Sequence, residues 1–160
     1  MTETRTQTPA DPEARLAELG LSLPAVAAPV AAYIPAVRTG NLVYTSGQLP
    51  FVDGELHATG IVGADVDTET AAECARFCAL NALAAVKAEI GDLAAVRRVV
   101  KVVGFVASAP SYVDQPLVIN GASELLGAVF GDAGRHARSA VGVASLPKNT
   151  PVEVEIIVEV

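Results

Sequence analysis

The stretch RHARSAVGVASLPKNTPVEVEIIVEV, residues 135–160, decides the fold. Residues 137–145 are small and apolar and read as a strand; LPKNTP reads as a turn. Residues 152–160 then alternate. Val152, Val154, Ile156, Val158 and Val160 point one way, and Glu153, Glu155, Ile157 and Glu159 the other. A two-residue period marks a strand with one buried face. The other face is half charged, which suits a surface shared between copies of the chain better than a dry core. A simple hairpin through 145–151 would set Glu153 opposite about Val143. That lies roughly 16 Å at strand rise from the partner of Arg138, so one chain would not unite the two.

Working backwards, RRVVKVVGFVAS (97–108) is apolar on both faces, as an interior strand is. Between the two regions, a helix is predicted from about Asp114-Gln115-Pro116. Val118, Ala122, Leu125, Leu126 and Val129 form its core stripe, with Asn120 and Glu124 opposite. A longer helix is predicted over 68–90, with Asp67 and Glu69 at its positive end. Thr70 and Glu73 suggest a capping box there, and Gly91 a stop. Upstream, Gly40-Asn41 is a two-residue turn joining β-rich runs. This hairpin register sets Thr39 against Leu42 and brings Tyr33 and Ser46 to one end. One further short strand is expected near 55–59. Residues 1–12 read as loose, and Asp11-Pro12 opens a short helix stopped by Gly20. The order is β-β-(β)-α-β-α-β-β after that helix. It implies an α+β domain with a mixed sheet and two main helices on one face.

The 160 residues favour one domain. The net charge of −7 argues against a nucleic-acid surface. Only Arg97, Arg98 and Lys101 are dense enough to suggest a basic patch. No leader and no membrane span is read, so the expectation is a soluble, cytoplasmic, reduced protein. Cys74 and Cys78, four apart on a helix, read as buried small hydrophobes and not as a metal pair. No phosphate-binding loop, GxGxxG or His-Glu-x-x-His occurs. His57 reads as a solvated loop residue, and His136 as turned away from the face of Arg138.

Arg138 stands out as a permanent cation opening a strand of small residues. Ala140, Gly142 and Ala144 on its face leave a hollow beside a planar fork of donors suited to a carboxylate. A buried unpaired charge is costly, so Arg138 requires a ligand, a protein carboxylate such as Glu155 or Glu159 of another subunit, or an exposed edge. Glu153 is the second charge of interest, and a solvated sheet edge is its plain alternative.

Three stretches, YIPAVRTGNLVYTSGQLP (33–50), VVKVVGFVAS (99–108) and ARSAVGVASLPKNTPVEVEIIVEV (137–160), resemble the RidA/YjgF family in collinear order. These are the reactive-intermediate deaminases, also labelled L-PSP endoribonucleases or translation inhibitors. The resemblance implies a chorismate-mutase-like fold over residues 31–160, preceded by an extension, 1–30, that carries the short helix. It implies a homotrimer with clefts between subunits, acting without a cofactor or metal on small 2-imino or 2-enamino acids and yielding 2-oxo acids and ammonia. By motif position Arg138 would clamp the substrate carboxylate and Glu153 would handle the hydrolytic water. Tyr33, Ser46 and Asn120 would fall on further cleft positions. Two departures stand out: Ala140 replaces a frequent Cys, and Ala31-Ala32 a frequent Gly-Pro. A non-catalytic trimer binding small carboxylates or a partner protein, and a ribonuclease, are the competing functions.

Overall fold

The computed structural model describes residues 11–26 and 32–160. The loose lead at 1–10 and the Ala31 departure lie outside the described residues. Helix α1 spans Pro12–Glu18, and the Asp11 side chain accepts from the Glu13 amide at 3.1 Å. Strands β1 (Ala36–Thr39) and β2 (Leu42–Thr45) form the expected hairpin, with Thr39 opposite Leu42. A small second hairpin, β3 (Phe51–Val52) with β4 (Glu55–Leu56), occupies the Gly-rich connection where one strand was expected.

Helix α2 runs Thr68–Ile90 and ends at Gly91, whose φ is +89°. Its cap is Asp67, which accepts from the Thr70 amide at 2.7 Å, and not the Thr70–Glu73 box. The helix begins at Thr68, so Thr70 is already its third residue and cannot be the N-cap. Hydrogen bonds from the Thr70 amide and side chain hold the Asp67 carboxyl below its ordinary range. Strand β5 is Arg98–Ala107, α3 is Gln115–Phe130, β6 is Ala137–Val143 and β7 is Val152–Glu159.

The main sheet has the order β1-β2-β7-β5-β6. All neighbours are antiparallel except β5 and β6, which run parallel with α3 as their crossover. The fold is therefore the expected α+β class. The 145–151 hairpin is not formed: β5 lies between β6 and β7, so Glu153 faces Phe105, not Val143. A parallel pair requires a crossover, and α3 supplies one; its Val118, Ile119, Ala122, Leu125, Leu126 and Val129 are all buried on the rest of the core.

One sheet face carries Val43, Val99, Val102, Val106, Val152, Val154, Ile156 and Val158, all buried. α2 and α3 cover it, and α2 contributes mainly alanines, which let it lie close. Short side chains on the sheet side and a long apolar crossover on the other replace the aromatic core that four Phe, three Tyr and no Trp could not build. α1 packs against α3, placing Leu16 in the same core, and Lys87 of α2 pairs with Glu13 at 2.8 Å. Cys74 and Cys78 are buried free thiols, as read. Burial pushes the Cys74 thiol up to about 12, and Cys78 rises well above the ordinary thiol range for the same reason. Neither is a ready thiolate. Among the described residues, no helix is long and apolar enough to cross a membrane.

Candidate functional site

Register places the two charges of interest on opposite faces. Arg138 pairs with Val102, and Val102 with Ile156, so Arg138 belongs to the helix-covered face. Its guanidinium turns onto α3. Nη1 donates to Asn120 Oδ1 at 2.9 Å and to Ser123 Oγ at 3.2 Å, and Nη2 donates to the Pro116 carbonyl at 3.2 Å. Asn120 is thus half-buried against Arg138, not on a solvent stripe. Among the described residues no carboxylate pairs with Arg138 within the chain. Glu159, one of the suggested partners, accepts from Asn41 Nδ2 at 3.0 Å instead.

A guanidinium has five N–H groups. Three of Arg138's are taken by neutral acceptors of its own chain. Among the described residues Nε makes no hydrogen bond, and Nη2 keeps one further N–H. The Nε–Nη2 edge of a guanidinium is one that receives both oxygens of a carboxylate. A cavity of about 380 Å³ opens beside it, lined by Ser123, Gly127, Gly134, Arg135, His136 and Arg138, with no acidic side chain.

The hollow expected along the strand is only partly there. Ala140 lies on the face of Arg138, packed against the core. Over Gly142 the space is filled by Gln115, whose Nε2 donates to Ser108 Oγ at 3.2 Å and to the Tyr112 carbonyl at 2.7 Å. A side chain at 142 would meet both Gln115 and Ser108. Gln115 closes that end of the groove, which sequence alone did not show.

Glu153 lies on the open face. Its side chain lies over Gly47, where a Cβ would collide with the Glu153 carboxylate. The contact exists because Gln48 bridges Val154, extending β2's pairing past its last strand residue. Burial raises the Glu153 carboxyl above its ordinary value, and the nearby Glu155 charge raises it further. Ser46 precedes Gly47 in the chain. Its Oγ donates to the Ile34 carbonyl at 2.6 Å and its amide to the Pro35 carbonyl at 2.8 Å. That anchors the segment of Tyr33, which precedes β1 and is exposed. Tyr33 and Ser46 therefore do sit at one end of the hairpin, on the Glu153 side.

The structure thus joins Arg138 to Asn120 and sets Glu153 over Gly47, the residue after Ser46, and keeps the two charges apart. Arg138 and Glu153 are two strands and three residues from each other, roughly 10 Å in each direction at ordinary sheet spacing, and on opposite faces. Sequence reading missed Ser123 and Gly47. Ser123 was findable: it is one helical turn from Asn120 on the same face. His136 was misplaced. Two residues before Arg138, it has the spacing that puts two strand residues on one face, and its Nε2 lies 2.9 Å from Ser123 Oγ.

Elsewhere, His57 is exposed, 3.1 Å from Glu73 through Nε2, with its ring tilted on Phe77. The basic cluster disperses: Arg98 pairs in register with Glu159, and Lys101 donates to Ser139 Oγ at 3.2 Å. A second cavity of about 360 Å³, between α1, α2 and α3, holds none of the residues singled out by sequence.

Residues 13–160 match a family model described as "YjgF/chorismate_mutase-like, putative endoribonuclease". The chain is similar to Protein TCP17 of Trypanosoma cruzi, 47% identical over 147 residues, covering 91% of this chain and 92% of the relative. It is also similar to a 2-iminobutanoate/2-iminopropanoate deaminase of Dermatophagoides farinae, 34% identical over 138 residues, covering 86% and 93%. Among solved structures, Agrobacterium tumefaciens Atu1372, a protein of unknown function, is 53% identical with a TM-score of 0.86, covering 93% of this chain and 91% of its own. With the fold and the matched length both in agreement, the chain belongs to the YjgF/RidA family.

Proposed function

We propose that the protein hydrolyses small 2-imino acids to 2-oxo acids and ammonia. The observation that carries this is the unoccupied Nε–Nη2 edge of Arg138, held open by three neutral acceptors. A relative named as a 2-iminobutanoate/2-iminopropanoate deaminase supports the reaction class.

The chemistry suits the residues. Arg138 binds the carboxylate and fixes C2. A protonated imine carbon is already electrophilic, so water adds to it directly. Glu153 takes the water proton as the O–C2 bond forms, giving a tetrahedral carbinolamine. It returns that proton to nitrogen. The C2–N bond then breaks and ammonia leaves, while the Glu153 carboxylate takes the hydroxyl proton and the oxygen from water becomes the 2-oxo group; that proton passes to the departing ammonia or to solvent. A carboxyl lifted by burial is better matched to this exchange near neutral pH than an ordinary one.

Within one chain the clamp and the base lie on opposite faces, so the site is completed by a second copy, in a homotrimer with clefts between subunits. Val37, Tyr44 and Val141 are exposed on the uncovered face, which supports its burial by that copy. Ammonia release from 2-iminobutanoate generated in situ, accelerated by wild type and not by Arg138→Ala, is the expected result. Equal acceleration by both would overturn the mechanism. Ala140, where family members often carry Cys, favours a second reading as a non-catalytic binder of small carboxylates. Its signature is saturable binding of 2-oxobutanoate with no ammonia released above the uncatalysed rate.

A further inference from the structure

The hydrogen-bond chain does not stop at Arg138. His136 Nδ1 lies 2.6 Å from the Gly134 carbonyl, which can only accept. Nδ1 therefore carries the proton, and in the neutral ring Nε2 is an acceptor. Nε2 faces Ser123 Oγ at 2.9 Å, so the serine hydroxyl donates to it. With its proton so directed, Ser123 Oγ turns its lone pairs to Arg138 Nη1 at 3.2 Å. The result is one directional chain: Arg138 Nη1–H to Ser123, Ser123 O–H to His136, His136 Nδ1–H to Gly134.

We propose that His136 is a positioning residue for the Arg138 clamp, acting through Ser123. This rests on the reading of Arg138 as the carboxylate anchor. A serine hydroxyl alone is a poor orienting group, because it rotates and is both donor and acceptor. An acceptor fixed at Nε2 removes that freedom and makes Ser123 a dedicated acceptor for Nη1. Asn120 Oδ1 holds the other Nη1 hydrogen and Pro116 O one of Nη2. The guanidinium plane is then set from three sides, and the Nε–Nη2 edge is held for the ligand. Preorganisation of this kind lowers the entropy lost on binding and requires no contact between His136 and the ligand. The groups around the imidazole suit the role. The cavity it shares with Arg138 is lined by Arg135 and Arg138 as charged groups and by no carboxylate. A second cavity lined by His136 adds Arg98 and Glu159, and Glu159 is engaged by Asn41 Nδ2 at 3.0 Å.

The test uses the full chain, with 2-oxobutanoate as the titrated probe and 2-iminobutanoate as substrate. In His136→Leu the dissociation constant and KM rise together by about tenfold, the scale of one lost hydrogen bond, while kcat stays within about twofold. His136→Gln, whose side-chain oxygen replaces Nε2 as acceptor, recovers most of the loss. Ser123→Ala matches His136→Leu, and the double variant is no weaker than either single one, because the two residues form one chain. Should His136→Leu fail to fold, Ser123→Ala breaks the same chain at its middle. Wild-type affinity in His136→Leu or in Ser123→Ala, or a Gln variant no better than Leu, overturns the proposal. So does a lowered unfolding midpoint with unchanged affinity, which would make His136 only a tether of β6 to α3. The anchor reading fails separately, if wild type and Arg138→Ala bind the probe alike. Independently of any ligand, the Nη protons of Arg138 resolve in NMR when their rotation is hindered, and they are expected to merge in His136→Leu.

Discussion

The Arg138 and Glu153 regions hold opposite charges in opposite ways. The cation is seated by Asn120, Ser123 and Pro116, so its orientation is built in by its own chain. The carboxylate is half-buried over Gly47, no donor among the described residues sets it, and both burial and Glu155 favour its protonated form. A binding group gains from a fixed direction, since each donor is aimed before the ligand arrives. A group that must take up and return a proton gains from a poorly stabilised charge. The difference in setting fits the division of labour between clamp and base.

Replacing Glu153 tests this contrast with the largest expected effect. Glu153→Gln is expected to lower kcat by about 10²–10⁴-fold while affinity for 2-oxobutanoate stays near wild type. In wild type, activity falls as pH drops through the raised value of Glu153, above the ordinary glutamate range. The stability effect has the opposite dependence on pH. A carboxyl raised by folding stabilises fully below its unfolded value and loses that contribution as pH rises through the folded value. Denaturant titrations at a fixed protein concentration should show this decline in wild type and not in Glu153→Gln.

Removing the clamp comes next. Arg138→Ala is expected to weaken 2-oxobutanoate binding by about 10²-fold, since two charge-assisted bonds are lost together. Calorimetry measures it. If affinity falls equally in Glu153→Gln, the two regions do not divide binding from proton transfer, and the comparison fails. The smallest effect is expected at Gly47. Gly47→Ala pushes the Glu153 carboxylate aside and should reduce kcat by about tenfold with little change in binding, because a modest misplacement of a reacting group is felt in rate first. Steady-state kinetics and the 2-oxobutanoate titration check it together.

The two regions were unequally legible. The Tyr33–Ser46 end followed from local rules, because a two-residue turn fixes register and Thr39 meets Leu42 as expected. The alternation of β7 and the core stripe of α3 followed from periodicity alone. Strand order did not. Period two says that 152–160 is a strand with a charged face, and says nothing about which strand lies beside it. The short link after Val143 suggested a hairpin, while the buried apolar faces of β5 and α3 placed β5 in between. For the same reason Gly47 went unnoticed beside Glu153: their contact depends on a bridge between residues distant in sequence. Ser123 could have been reached from Asn120 by helical spacing, whereas its link to His136, which lies beyond the end of α3, carries no distinctive pattern. Their role depends on which atom of each ring or hydroxyl holds a proton.

The parallel pairing of β5 with β6 has a consequence for how the chain acquires its shape. The β1–β2 hairpin closes a two-residue loop, whereas β6 reaches β5 only after all of α3 has been laid over the sheet. Closing the longer loop loses more chain entropy before any contact compensates for it. Pulsed hydrogen exchange during refolding is therefore expected to protect amides of β1 and β2 before those of β6; simultaneous protection would refute this order. On that schedule the Tyr33–Ser46 end of the hairpin exists early, while both charges, Arg138 on β6 and Glu153 on β7, reach their places late in a newly made chain.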